Sequence, residues 1–229
     1  MGNTPECGSY VDGVRVQCFG GKDDKYPTTV MGGGDDIVRG LGGNDWISDH
    51  LGGENIIYGD DGNDNLSVRK KDGKKNELWG GAGDDYLWSE TNGPTFFNGG
   101  AGNDEADGGD GDDFLYGIDW VHALFNPFEE SVPYKDRSSD TLKGGKGNDY
   151  LDGQGGADVL IDEGGDKTTF VDWDGGDTWY TNQTGAGVNT FIFHGPFASE
   201  VVGGKFRRLI YVPGNNSYLG DKYSFGPSR

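Results

Sequence analysis

The chain has 229 residues, 45 of them glycine and only 32% apolar, with 39 acidic side chains against 19 basic for a net charge of −20. Glycine at about three times its average frequency, with so few aliphatics, excludes a thick layered core, while 13% aromatics argue against a disordered polymer. The glycines miss the every-third spacing of collagen, the charge repels phosphate backbones and anionic lipid, and no run is apolar for long enough to span a membrane.

In chain order, residues 1–31 form an N-terminal cap ahead of the repetitive part. Met1 is not followed by a charged segment and an apolar core, so no signal peptide is visible. Cys7 and Cys18 both lie in this cap, either as a disulfide closing a short loop or as two buried thiols.

From residue 32 a nine-residue unit recurs. It reads Gly34-Asp35-Asp36-Ile37-Val38-Arg39, Gly43-Asn44-Asp45-Trp46-Ile47-Ser48, Gly53-Glu54-Asn55-Ile56-Ile57-Tyr58 and Gly62-Asn63-Asp64-Asn65-Leu66-Ser67. After an interruption near 68–75 it resumes at Gly80-Gly81-Ala82-Gly83-Asp84-Asp85, then at Gly99-Gly100-Ala101-Gly102-Asn103-Asp104 and Gly108-Gly109-Asp110-Gly111-Asp112-Asp113. A longer insertion near 117–139 precedes Gly144-Gly145-Lys146-Gly147-Asn148-Asp149 and Gly153-Gln154-Gly155-Gly156-Ala157-Asp158. The unit is G-G-x-G-x-D-x-U-x, with U apolar. Its first six residues predict a tight glycine turn, and its last three a short strand with the central side chain turned inward. The inward column is Val38, Ile47, Ile57, Leu66, Leu78, Leu87, Phe97, Ala106, Leu115, Leu142, Leu151 and Leu160. Two such side chains per turn make a core too thin to hold the coil alone.

This unit resembles the RTX, or hemolysin-type calcium-binding, family. The resemblance implies an all-β fold, a right-handed parallel β-roll with loop insertions spanning 32–180 and a C-terminal capping segment over 181–229, in which several Ca²⁺ ions lie between turns along each edge. Within that last segment, residues 185–193 resemble the unit that often closes an RTX array. Calcium takes carboxylate and carbonyl oxygens together, so the expected ligands are the sixth-position side chains and the turn carbonyls. One edge carries Asp45, Asp64, Asp85, Asp104, Asp140, Asp158 and Asp177. The other carries Asp36, Asn55, Asn76, Thr95, Asp113, Asp149 and Asp166, and is depleted of charge in its middle. Gly80, Ala82, Gly99, Ala101, Gly108, Gly144 and Gly153 supply carbonyls. Lys74 replaces the fourth-position glycine of its unit and puts that turn in doubt.

No catalytic constellation emerges. His50, His122 and His194 are widely separated and lie in no metalloprotease or hydrolase motif. Tyr58, Trp79, Phe114 and Tyr116 fall on one outer face, which is either covered by Trp120, Leu124, Phe125 and Phe128 of the long insertion or left open. With Trp88, the residues Tyr58, Trp79 and Tyr116 are candidate platforms for a glycan or small molecule, as in the similar R-modules of alginate epimerases. The sequence reads as a secreted, monomeric calcium-binding scaffold. The alternatives are a carbohydrate-binding module and a small enzyme with a pocket built by the insertions.

Overall fold

The computed structural model describes residues 7–8, 10–11, 14–20, 25–27, 33–117, 139–154, 156–162, 167–172, 177–181, 189–193, 200–202 and 206–211. All its regular elements are strands. One sheet of eleven contains β1 (Tyr10–Val11), β2 (Val14–Cys18), β4 (Ile37–Gly42), β6 (Ile56–Asp61), β8 (Asn76–Ala82), β10 (Thr95–Ala101), β12 (Phe114–Tyr116), β14 (Tyr150–Asp152), β16 (Thr169–Asp172), β18 (Asn189–Phe193) and β20 (Phe206–Tyr211), side by side in that order. The facing sheet of nine contains β3 (Lys25–Pro27), β5 (Trp46–Asp49), β7 (Asn65–Val68), β9 (Tyr86–Ser89), β11 (Glu105–Asp107), β13 (Thr141–Gly145), β15 (Val159–Asp162), β17 (Thr178–Thr181) and β19 (Glu200–Val202). Successive strands alternate between the sheets, and all pairings but β1 with β2 are parallel. The result is a parallel β-solenoid.

The core between the sheets is the expected column. All twelve of its members, from Val38 to Leu160, are at most 1% exposed, and Phe170, Trp179 and Phe191 extend it. Those last three rings stack with centroids 4.9–6.1 Å apart, so the core turns from aliphatic to aromatic toward the C-terminus.

The solenoid strands pass both limits read from the repeat. Val16–Cys18 pair with Ile37–Arg39 and Lys25–Pro27 with Trp46–Ser48, ahead of residue 32. β18 lies in register with β16 on one side and β20 on the other, so the 185–193 unit does not close its sheet. The full nine-residue glycine code is absent from these outer turns, but strand pairing needs only an extended backbone. Cys7 and Cys18 form a disulfide that ties the N-terminal turn to β2.

Candidate metal sites along the two edges

The turns between strands stack as tightly as their backbones allow. At the fourth position a Cβ on Gly62 would collide with the Gly43 carbonyl of the turn before, and one on Gly83 with the Gly62 carbonyl; both residues also hold φ above +130°. Gly62 and Gly83 donate their N–H groups to the carbonyls of Ala82 and Ala101 in the turn after, both at 2.7 Å. At the second position Gly81 and Gly100 adopt positive φ, and so do Leu41, Asp60 and Gln154, the non-glycine residues with positive φ among those described.

Close stacking brings the sixth-position side chains into ladders. On one edge the N–H of Asp45 donates to Oδ1 of Asp64, and the same contact repeats from Asp64 to Asp85, Asp104, Asp140, Asp158 and Asp177, at 2.7–3.0 Å throughout. The 35 residues between Asp104 and Asp140 do not break the alternation, because the turn interrupted by the insertion resumes in register at Asp140. On the other edge Asp36 donates to Asn55, Asn55 to Asn76, Thr95 to Asp113 and Asp113 to Asp149, at 2.7–3.1 Å. Asp166 lies outside the described residues. Tyr150 is level with Thr169, which places Thr168 beside Asp149; the shift of two positions from Asp166 to Thr168 is the slip that the blurred glycine pattern concealed.

A second ladder runs outside the first and was treated in the repeat as a free position. The fifth-position side chains of Asn44, Asn63, Asp84 and Asn103 accept the N–H groups of Asn63, Asp84, Asn103 and Ser139 at 2.8–3.1 Å. Asp112 accepts from Asn148 in the same way. The inner ladder donates toward the following turn and the outer one accepts from it, so each turn is gripped in both directions. The signal was present in the sequence as a run of Asn and Asp before the repeat Asp.

The inner carboxylates are almost fully buried: Asp64 and Asp85 are 3% exposed, Asp149 2% and Asp113 0%. One oxygen of each is spent on the ladder, and Oδ2 of Asp64, Asp85, Asp113 and Asp149 is buried without a hydrogen-bond partner. Burial pushes Asp64 and Asp149 up to about 6 and Asp85 and Asp113 up to about 8, with neighbouring carboxylates adding to the rise. Burying unpaired anions at this density is costly unless a cation joins them.

Each Oδ2 faces a small cradle. A Cβ on Gly59 would strike Asp64 Oδ2 and lie 2.6 Å from the Gly80 carbonyl oxygen of the next turn. The same pairing of carboxylate and next-turn carbonyl surrounds Gly40 (Asp45, Gly59), Gly80 (Asp85, Gly99), Gly99 (Asp104, Gly117), Gly108 (Asp113, Gly144) and Gly117 (Asp140, Gly153). Gly144 and Gly153 face Asp149 and Asp158. First-position glycine is thus needed for room. Of these, Gly40, Gly59 and Gly117 were not singled out from the sequence, Gly117 because the insertion separates it from Asp140. Among the described residues no group of three or more Asp, Glu, His or Cys side chains converges as a metal cluster. The donor set is one carboxylate with main-chain oxygens, which suits a hard divalent cation and not a metal seeking sulfur or imidazole.

The remaining candidates separate. Tyr58, Trp79 and Tyr116 share the outer face of the eleven-stranded sheet, where rings of Tyr58, Trp79, Phe96, Tyr116 and Tyr150 follow one another at 5.1–6.1 Å. Trp88 lies on the other sheet, under the Arg69 guanidinium and donating to Asn65. His50 is exposed and bonded to Ser48, while His122, His194 and the insertion residues Trp120, Leu124, Phe125 and Phe128 lie outside the described residues. The Lys74 turn closes: Asn76 donates to the Lys74 carbonyl at 3.2 Å.

Stacked glycine turns, an inward apolar residue two positions after each ladder residue and buried oxygen cradles between turns are the features of one repeat. Residues 32–66, 73–93, 91–117 and 136–166 match the RTX calcium-binding nonapeptide repeat in four copies. Those residues form an RTX repeat array. Comparison with curated proteins and with solved structures gave no match. The RTX match ends at residue 166, whereas the solenoid strands run on to β20. Among the described residues no helix is long and apolar enough to cross a membrane.

Proposed function

We propose that this chain is a secreted, monomeric scaffold whose fold depends on several Ca²⁺ ions held along the RTX edges. The observation that carries the reading is the set of buried Oδ2 atoms of Asp64, Asp85, Asp113 and Asp149, each without a hydrogen-bond partner and each facing a glycine cradle. Bound there, the cation supplies the positive charge that these carboxylates lack. Asp45, Asp64, Asp85, Asp104, Asp140, Asp158 and Asp177 hold it on the first edge, and Asp36, Asp113 and Asp149 on the second, together with carbonyls of Gly59, Gly80, Gly99, Gly117, Gly144 and Gly153. The carbonyls of Ala82 and Ala101 already accept N–H donors and keep one lone pair for the ion. RTX proteins are typically secreted, and the Cys7–Cys18 disulfide suits an oxidising compartment. Calorimetric titration tests the reading: several ions should bind to the chelator-stripped chain, and no heat above dilution would defeat it.

A second reading, carbohydrate binding, is favoured by the aromatic stripe from Tyr58 to Tyr150, whose rings repeat along the solenoid as sugar faces would along a polymer. Quenching of tryptophan emission by an added polysaccharide, lost in Trp79→Ala and kept in Trp88→Ala, would support it.

A further inference from the structure

On the second edge, three consecutive turns differ from the rest in a way that the loss of charge at Asn55, Asn76 and Thr95 only partly describes. Strand register sets Asp49, Val68 and Ser89 level with one another, and Ser89, one residue beyond the Trp88–Asp107 pair, is level with Gly108. Gly108 in turn is level with Gly144. The cradle glycine of the Asp113 and Asp149 turns therefore has Asp49, Val68 and Ser89 as its counterparts in the turns before. All three are buried, at 1%, 1% and 5% exposure.

Their side chains close the space themselves. Asp49 Oδ2 accepts the Asn55 amide at 2.8 Å, and Asn55 Oδ1 accepts the Asp36 N–H. Val68 belongs to the apolar core. Ser89 Oγ accepts from the Thr95 hydroxyl at 3.2 Å and meets Thr91 at 3.0 Å. No side-chain oxygen of Asn55, Asn76 or Thr95 is among the buried atoms lacking a partner, in contrast to Asp113 and Asp149. The turns are also longer, with seven residues over Asp49–Asn55 and over Ser89–Thr95 against six over Gly108–Asp113.

On the solvent side of this stretch, cations of the chain itself cross the same turns. Arg69 pairs with Glu90 and Lys71 with Asp110, Lys74 reaches Glu54, and Lys70 donates to the Leu51 carbonyl. Resting on the calcium reading of the other turns, we propose that Ca²⁺ skips the Asn55, Asn76 and Thr95 turns. They form a metal-free seam in which buried side chains fill the cradles and Lys and Arg supply the counter-charge. The array then carries an unbroken row of ions on one edge and an interrupted row on the other.

The test has two parts. Anomalous diffraction from the calcium-soaked native chain should show ions beside Asp64, Asp85, Asp104, Asp113 and Asp149 and none beside Asn55, Asn76 and Thr95. A chimaera with residues 89–95 replaced by the Gly108–Asp113 sequence should bind one more ion per chain by equilibrium dialysis. An ion at any of the three turns of the native chain overturns the inference while leaving the calcium reading intact, and absence of ions everywhere overturns both. A folded chimaera with unchanged stoichiometry also counts against it.

Discussion

At the scale of the residue, the sixth position of each turn decides between two ways of satisfying a buried side chain. Asp85 keeps one oxygen on the ladder and lacks a protein partner for the other, whereas Asn55 uses its amide to reach Asp49. Asp85→Asn should therefore weaken calcium binding, yet raise the stability of the chelated chain at pH 8 by on the order of 1–3 kcal/mol, since it removes a carboxylate that burial has lifted to about 8. Asn55→Ala should act on stability alone. It leaves Asp36 and Asp49 short of partners, costing about 1–3 kcal/mol with or without calcium, while calcium affinity holds; urea melts in chelator and in calcium separate the two patterns. The pH dependence has a definite sign. Folded-state values of about 6 for Asp64 and Asp149 and about 8 for Asp85 and Asp113 lie above the ordinary 3.8, so the chelated fold binds protons that the unfolded chain releases. Its stability should be greatest near pH 4 and fall as pH rises to about 8. Because calcium requires the carboxylates, its affinity should climb across the same interval.

At the scale of the element, the turn sets what each glycine is for. Gly62→Ala would drive a Cβ into the Gly43 carbonyl at a positive φ, and should cost about 2–4 kcal/mol by chemical denaturation. Leu41→Gly should raise the midpoint instead, relieving a bulky residue held at φ 79°. How far the sequence could be read follows from the same turns. Wherever glycine spacing was intact, as over Gly80–Asp85 and Gly99–Asp104, the strand, the inward residue and the ladder residue all fell where expected. The first edge could be followed even across the long insertion, because Asp140 still stood two positions before an apolar residue. What the sequence concealed was register where turns changed length. Nothing in the composition of Asp49, Val68 or Ser89 says that each occupies a cradle; only the pairing with neighbouring strands does. Thr168 was missed for the same reason, since Asp166 matched the motif and the extra residues did not announce themselves.

At the scale of the whole molecule, the solenoid is a narrow core one or two side chains wide, flanked by two edges that differ in how they neutralise charge. With a net charge of −20, cohesion along the axis cannot come from the core column alone. The outer ladder of Asn44, Asn63, Asp84 and Asn103, the seam around Lys71 and the aromatic stripe hold turns together without metal. On the first edge the Oδ2 atoms of Asp64 and Asp85 stay buried without a hydrogen-bond partner despite that outer ladder, and the claim at the centre of this account is that calcium there holds the fold together. The direct measurement is cooperative urea unfolding of the full chain at pH 8, followed by circular dichroism across a calcium series and in excess chelator. The midpoint should rise steadily with calcium concentration, as binding to the folded state alone requires, and should be lowest in excess chelator. An unfolding curve that is the same in saturating calcium and in excess chelator, after time for slow ion release, would contradict it.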